Sequence, residues 1–375
     1  MTIQECYNKM GADYQEVLGR LHNEAMIGKF VRMFLQDDSF QILEEALRRG
    51  DVKEAFRGAH TLKGVCQNLG FSNLYAPAYA LTETLRAGQL EGTQEQFAKV
   101  AEQYQCTMDA IRALEERYAK LEVPVVSNNS ANRWTEDVPM VVPEINPDHI
   151  EIIKAQRERL GTKRGFIAVK SNCSLQSYVP ALNALKDTYG IKQAMVCTYQ
   201  AISGAGKTFE TMPEIIDNVI PYIGGEEEKS EQEPLKIWGH IEGNKIVNAD
   251  GPKISSQCLR VPVSDGHTAA IFVQFDKKPT KEEVIKAWTE YSGVPQELEL
   301  PSAPKQFLHY FEEDNRPQAK LDRNLENGMA VSVGRLRPDT QYDYKFVCMS
   351  HNTLRGAAGG AVLLAELLCA EGYMD

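Results

Sequence analysis

The chain has 375 residues, 43% of them hydrophobic and 25% charged, with a formal net charge of -11. That length exceeds a usual single core and points to two units, while the ordinary composition excludes disordered and fibrous classes. The acidic balance argues against a nucleic-acid surface, because phosphate contacts need clustered Lys and Arg.

No apolar run reaches the roughly 18 residues that span a bilayer, and the start MTIQECYNKMGADYQE lacks the basic and apolar regions of a signal peptide. A cytoplasmic protein without membrane attachment is expected. The eight cysteines show no CxxC pair and no zinc-ligand spacing, so free thiols and no metal site are expected. Partners should be proteins or small molecules.

Residues 1 to about 118 read as helix after helix, with Pro77 the only proline, which predicts an all-α bundle of four-helix type. One helix follows Asp38 and Ser39, runs FQILEEALRR and stops at Gly50; the next starts with Asp51 and Glu54 as a capping-box variant and runs to Gly70. In that second helix Ala55, Ala59, Leu62, Cys66 and Leu69 form one apolar stripe. His60 lies off it, sharing the solvent side with Gly64 and Gln67, with Lys63 alongside. A neutral imidazole accepts a phosphoryl group on nitrogen. Lys63 would steady that group, and Gly64, costly in a helix by about 1 kcal/mol, leaves a bare patch for another surface. Taken alone, an exposed histidine more often does nothing.

The run Ala59-His60-Thr61-Leu62-Lys63-Gly64, followed by Leu69-Gly70, resembles the phosphoacceptor motif of histidine phosphotransfer domains. The resemblance implies that His60 exchanges phosphate with a response-regulator receiver domain or a hybrid histidine kinase, without kinase activity of its own.

After Leu121 the texture changes. GFIAV, IKQAMVCTY, TAAIFVQF, GMAVSVGRL and DYKFVCM read as strands and TKEEVIKAWTEY as a helix, which predicts an α+β domain with a mixed sheet and flanking helices. Ser171-Asn172-Cys173-Ser174 lies between GFIAV and a helix beginning near Leu175, a place where helix-end N–H groups favour a thiolate. A second element, CLRVPVSDGH, carries Arg260 and His267: a guanidinium able to fork a carboxylate and an imidazole able to shuttle a proton.

Together with VVSNNSANR, DVPMVVPEINPDH, TYQAISGAG, VIPYIGGEEEK, LPSAPKQ, NGMAVSVGR and SHNTLRGAAGG, these elements resemble aspartate-semialdehyde dehydrogenases, chiefly the archaeal and fungal type. The resemblance implies a glyceraldehyde-phosphate-dehydrogenase-like catalytic domain, NADP as cofactor and a homodimer. It also implies that Cys173 attacks the aldehyde and that the resulting hemiacetal is oxidised to a thioester cleaved by phosphate. His267 would move the proton and Gln200 orient the acyl group. Arg260 and Glu226 would hold the amino-acid end, and Asn172, Arg133 and Lys229 the phosphate. Ser203, Gly204, Gly206 and Asn352 would line the nicotinamide.

The family's nucleotide-binding half carries a strand followed by a glycine-rich turn. Here no Gly-x-Gly-x-x-Gly follows a strand, and Gly356-Ala-Ala-Gly359-Gly360 is a weak substitute. The expected organisation is therefore a bundle at 1–118, a junction with a remnant of the nucleotide-binding half at 119–150, a catalytic and dimerisation domain at 151–354, and a C-terminal helix at 355–375 whose Ala361, Leu364 and Leu368 lack their usual cover. Dehydrogenase activity weakened by that loss is the leading expectation. Two alternatives stand beside it: a signalling protein using the second module only as a dimerisation scaffold, and a junction made by gene assembly or engineering.

Overall fold

The computed structural model describes residues 3–34 and 37–375. It divides into two compact units, the first comprising residues 1–125 with 129–132 and 160–166, the second 126–128, 133–159 and 167–375. The expected boundary at 118 thus falls inside a helix, and two short later segments fold with the helices.

The first unit is helical: α1 (Ile3–Met10), α2 (Tyr14–Leu21), α3 (Glu24–Met33), α4 (Ser39–Arg49), α5 (Val52–Leu69), α6 (Ser72–Arg86) and α7 (Thr93–Lys120). α4 stops at Gly50 and α5 at Gly70, each left-handed (φ +72° and +67°), the backbone that glycine adopts without a Cβ penalty. The Asp51 side chain accepts the Glu54 N–H at 3.0 Å and caps α5. Asp38 makes no such bond; Asp37 takes its place, accepting from Ser39 N at 3.1 Å. Gly58 permits the α4–α5 approach, since a Cβ there would lie 2.8 Å from the Leu43 nitrogen. Phe34, Phe40, Phe71, Leu74, Leu81 and Ile111 are among the side chains that fill the core. Beyond α7, Glu122 (φ +64°) sets its carboxylate against three successive N–H groups, those of Lys163, Arg164 and Gly165, at 2.6–3.0 Å, a backbone nest filled from within the chain.

The second unit begins with β1 (Val125–Ser127) and β2 (Met140–Val141), followed by α8 (Ile153–Leu160), β3 (Ile167–Lys170), α9 (Val179–Tyr189), β4 (Ile191–Gln200), α10 (Glu226–Ile237), the hairpin β5 (His240–Glu242) and β6 (Lys245–Val247), then β7 (Lys253–Arg260) and β8 (His267–Phe275). α11 (Lys281–Thr289), the short α12 (Val294–Glu297), β9 (Leu308–Phe311), the short α13 (Ala319–Asp322), β10 (Val331–Pro338), β11 (Tyr344–Ser350) and α14 (Gly359–Ala370) complete it. A small sheet runs β1-β3-β2, and a six-stranded mixed sheet runs β7-β4-β8-β11-β10-β9.

Register in the large sheet decides where chemistry can assemble. β4 and β7 are parallel with Gln200 opposite Arg260. β8 is antiparallel to β4 and to β11, with His267 opposite Ser350. The ends of β4, β7 and β11 and the start of β8 therefore meet at one rim. Strict burial alternation along β8 shows one covered face. The expectation that the C-terminal helix lacks cover is corrected for Leu364 and Leu368, which are fully buried with Leu363 and Leu367 as α14 packs on β3; Ala361 is half-buried. No helix among the described residues is long and apolar enough to cross a membrane.

Candidate functional site

In the helical unit, Ala55, Ala59, Leu62 and Cys66 are fully buried and Leu69 nearly so. His60 and Gln67 are exposed on the opposite side of α5, as the spacing predicts. The His60 ring lies 5.7 Å from Phe56, and Lys63 holds its ammonium 5.7 Å from the Tyr79 ring centroid on α6. A Cβ at Gly64 would meet nothing within 4 Å. Packing inside this unit therefore does not demand glycine there.

The second constellation stands on the sheet rim and the turn after β3. The Cys173 sulfur lies 3.4 Å from His267 Nε2. Asn172 shapes the turn by accepting from Ser174 N and Oγ, both at 2.8 Å, while its amide donates to both Glu226 oxygens at 2.9 and 3.1 Å. Glu226 also accepts from Gln200 at 3.2 Å and Lys229 at 3.0 Å. It opens α10, where Gly225 (φ +66°) turns the chain and three glutamates fill the first turn, a sequence suited to the positive end of a helix dipole. Burial opposes ionisation of Glu226, yet Lys229, Gln200 and Arg260 outweigh it and hold the carboxyl down at about 2.

Two electrostatic expectations are corrected. Only a 3-10 turn, Leu175–Ser177, follows Cys173, and the α-helix starts at Val179. The sulfur therefore does not head the α-helix that follows it in sequence. Burial pushes the thiol above its ordinary value, helped by Glu226 and opposed by Lys170, Arg133 and Arg260. His267 is displaced from the range useful for proton exchange near neutrality: burial, and Arg260 next to it, drive the imidazole down to about 3 against the pull of Glu226. Its Nδ1 accepts the Ala201 N–H at 3.0 Å. The neutral ring therefore carries its proton on Nε2, facing the sulfur.

Arg260 donates through Nη1 to the Ala201 carbonyl at 2.8 Å. Gly204 is required beside this pair, since a Cβ would come within 3.0 Å of Arg260 Nη1 and His267 Nε2. Asn352 donates to Ser203 Oγ at 2.9 Å and accepts from Gly266 N at 2.8 Å, tying the 203–206 turn to the end of β11. Gly206 is left-handed (φ +66°), with open space where a Cβ would be. Gly356, Gly359 and Gly360 do not substitute for a phosphate cradle. Cβ atoms there would strike Cys173 Cβ at 2.9 Å, Met329 Sδ at 2.7 Å and Lys170 Cε at 2.6 Å, so these glycines serve close packing.

Arg133 is committed to the protein, donating to Lys170 O at 2.9 Å, Glu233 at 2.8 Å and Asn128 O at 2.9 Å. Glu233 also accepts the Asn172 N–H at 2.6 Å, so one buried carboxylate ties Arg133 to the Cys173 turn. Lys236 donates to the carbonyls of Arg133, Thr135 and Val138 at 2.6, 2.8 and 3.0 Å. Sequence reasoning missed Glu233, Lys236, Lys170 and the buried Arg355–Glu144 pair, in which two guanidinium nitrogens meet both carboxylate oxygens at 2.5 and 2.6 Å. The signal for the first two was readable: Glu226, Lys229, Glu233 and Lys236 fall on one face of α10.

The family model "Semialdehyde dehydrogenase, dimerisation domain" matches residues 182–355, "Semialdehyde dehydrogenase, NAD binding domain" matches 105–153, and "Hpt domain" matches 29–121. The aspartate-semialdehyde dehydrogenase of Archaeoglobus fulgidus is 43% identical over 263 residues, 70% of this chain and 75% of that protein. That of Schizosaccharomyces pombe is 44% identical over 268 residues, 70% and 74%. The solved Candida albicans enzyme with NADP superimposes with a TM-score of 0.63 at 39% identity, covering 70% of this chain and 76% of that one. With relatives of that identity covering 70% of this chain and about three quarters of their own length, the chain belongs to the aspartate-semialdehyde dehydrogenase family.

Proposed function

We propose that the second unit interconverts aspartate semialdehyde and aspartyl phosphate with NADP, working as a homodimer. The observation that carries this reading is Cys173 at 3.4 Å from His267, beside a carboxylate on which Asn172, Gln200 and Lys229 converge. Cys173 is the nucleophile toward the aldehyde carbon. His267, held with its Nε2 proton toward the reacting centre, donates to the oxygen that becomes negative on attack. Gln200 sits beside Glu226 to orient the acyl group. Arg260 takes the substrate carboxylate and Glu226 its ammonium, the latter by exchanging a donor it already holds. Asn172 and Lys229 meet the phosphate, with Arg133 fixing the turn from behind.

Ser203, Gly204, Gly206 and Asn352 are the residues that would hold the nicotinamide end of NADP. NADP supplies the hydride acceptor when bound. No strand precedes β1 among the described residues, so the strand–turn–helix cradle for the cofactor's phosphates is not found in the helical unit, and we expect slow turnover from this chain alone.

The helical unit is read as a phosphotransfer domain in which His60 takes phosphate from a receiver domain, on the strength of its exposed ring and the open space at Gly64. Two assays separate the activities. NADPH formation from aspartate semialdehyde, NADP and phosphate should vanish in Cys173→Ala; no turnover by the folded parent chain would sink the enzyme reading. Phosphate transfer from a phosphorylated receiver domain should vanish in His60→Gln, and its absence from the parent chain would sink the second.

A further inference from the structure

We propose that Glu227 sets the spacing between Glu226 and Arg260, and with it the preference of this site for an aldehyde that carries an ammonium group beside its carboxylate. This rests on the reading of Arg260 and Glu226 as the residues that take those two groups, and it names what holds them in place.

β7 is an edge strand, first in the order of the six-stranded sheet, and an edge leaves backbone N–H groups turned away from the neighbouring strand. Here those groups are met from the segment that leads into α10 and from α10 itself. Arg260 exchanges both backbone bonds with Ile220, at 2.8 and 3.0 Å. The Cys258 N–H donates to Glu227 at 3.1 Å and the Ser256 N–H to Glu231 at 2.9 Å. The two repeats match: four residues of α-helix rise about 6 Å and two residues of strand about 6.6 Å, so carboxylates one helical turn apart meet every second N–H of the strand. The later glutamate meets the earlier strand residue, so α10 and β7 run in opposite directions.

Glu226 lies in the chain between two of these ties, the Ile220 bridge and the Glu227 bond. Arg260 stands opposite Gln200 in the sheet, and Gln200 donates to Glu226 at 3.2 Å, so one glutamine links the strand pair to the carboxylate. The donors on Glu226 cannot fix its position throughout binding, because a substrate ammonium must displace one of Asn172, Gln200 and Lys229. During that exchange the backbone of the first turn of α10 has to stay still. Glu227 pins that turn to the strand that carries Arg260. Its carboxylate is spent on the strand edge, which makes it a positioning residue.

The test is protection of Cys173 from iodoacetamide, followed on its own peptide because Cys106 and Cys369 are exposed. Two protecting aldehydes are compared: aspartate semialdehyde, and succinate semialdehyde, which has the same chain and carboxylate without the ammonium group. Neither needs NADP to bind. In the unaltered chain aspartate semialdehyde should protect at the lower concentration. Glu227→Ala should raise its half-protecting concentration about tenfold, the scale of one charge-assisted bond, and leave that of succinate semialdehyde within about twofold. Glu231→Ala, one turn further from Glu226, should give a smaller rise in the same sense. Glu227→Gln keeps an oxygen for the Cys258 N–H and should retain the preference. An equal rise for both aldehydes, no rise in Glu227→Ala, a larger effect at Glu231, or a Glu227→Gln variant as weak as Glu227→Ala would overturn the proposal and leave the enzyme reading standing. Protection by neither aldehyde in the unaltered chain would sink both, so the two failures are told apart.

Discussion

His60 and Cys173 are both candidate nucleophiles, and their surroundings are opposites. His60 stands on the outer face of α5 beside open space at Gly64, with the Phe56 ring tilted against it at 5.7 Å. Cys173, half-buried, stands beside a web of bonds among Asn172, Glu226, Lys229, Gln200, Glu233 and Arg133. A group that must meet another protein receives much of its electrostatics from that partner, so it needs clearance more than neighbours. A group that acts on a small molecule must bring its own dipoles, fixed in advance and shielded from water. Charge is inexpensive on the first surface and costly in the second interior.

That contrast can be broken by measuring stability. The largest effect is expected at the Glu144–Arg355 pair, 0% and 1% exposed at its side chains. Glu144→Gln strands a buried guanidinium and should lower the stability of the second unit by about 3–5 kcal/mol in urea unfolding; a change below 1 kcal/mol would show that water reaches the pair. Lys170→Met should act in the opposite direction. The folded protein holds that amine at about 7 against an ordinary 10.5, so between those values the unfolded chain binds more protons and native stability rises with pH. The substitution should therefore stabilise most below pH 7, by on the order of 5 kcal/mol, and its benefit should fade toward pH 10.5. Thermal melts at acid and alkaline pH give the difference, and a benefit that grows with pH would refute the account.

The helical unit should answer more quietly. Asp51→Ala removes the α5 cap and should cost about 1 kcal/mol, read from the melting of that unit. His60→Gln should leave stability within about 0.5 kcal/mol while removing phosphate acceptance. A large loss of stability there would mean that the imidazole holds structure and that its exposure misleads.

The buried stripe of α5, the caps at Asp51 and Gly50 and the strands around Cys173 were legible in sequence because each follows from local periodicity or a single special residue. The meeting of Gln200, Arg260 and His267 was legible only through family resemblance; its physical cause is strand register, which pairs residues 60 positions apart. The helix expected after Cys173 was misplaced because Asn172 captures Ser174 with its side chain, a competition that spacing rules do not register. The states of Cys173 and His267 were misjudged for a related reason, since burial and the Ala201 N–H are tertiary facts. Lys170 was overlooked because a lysine closing an apolar strand reads as a strand end meeting solvent.

The bonds from α10 to residues 133–138 bear on how such a chain can be spliced. Arg133 needs Glu233, and three carbonyls of that segment need Lys236. The two segments are therefore inherited together or not at all. A recombination breakpoint anywhere between residues 139 and 225 would join one parent's loop to another parent's helix and succeed only where both parents carry the same pairing. Libraries of recombined homologues should show that linkage as a gap in surviving crossovers.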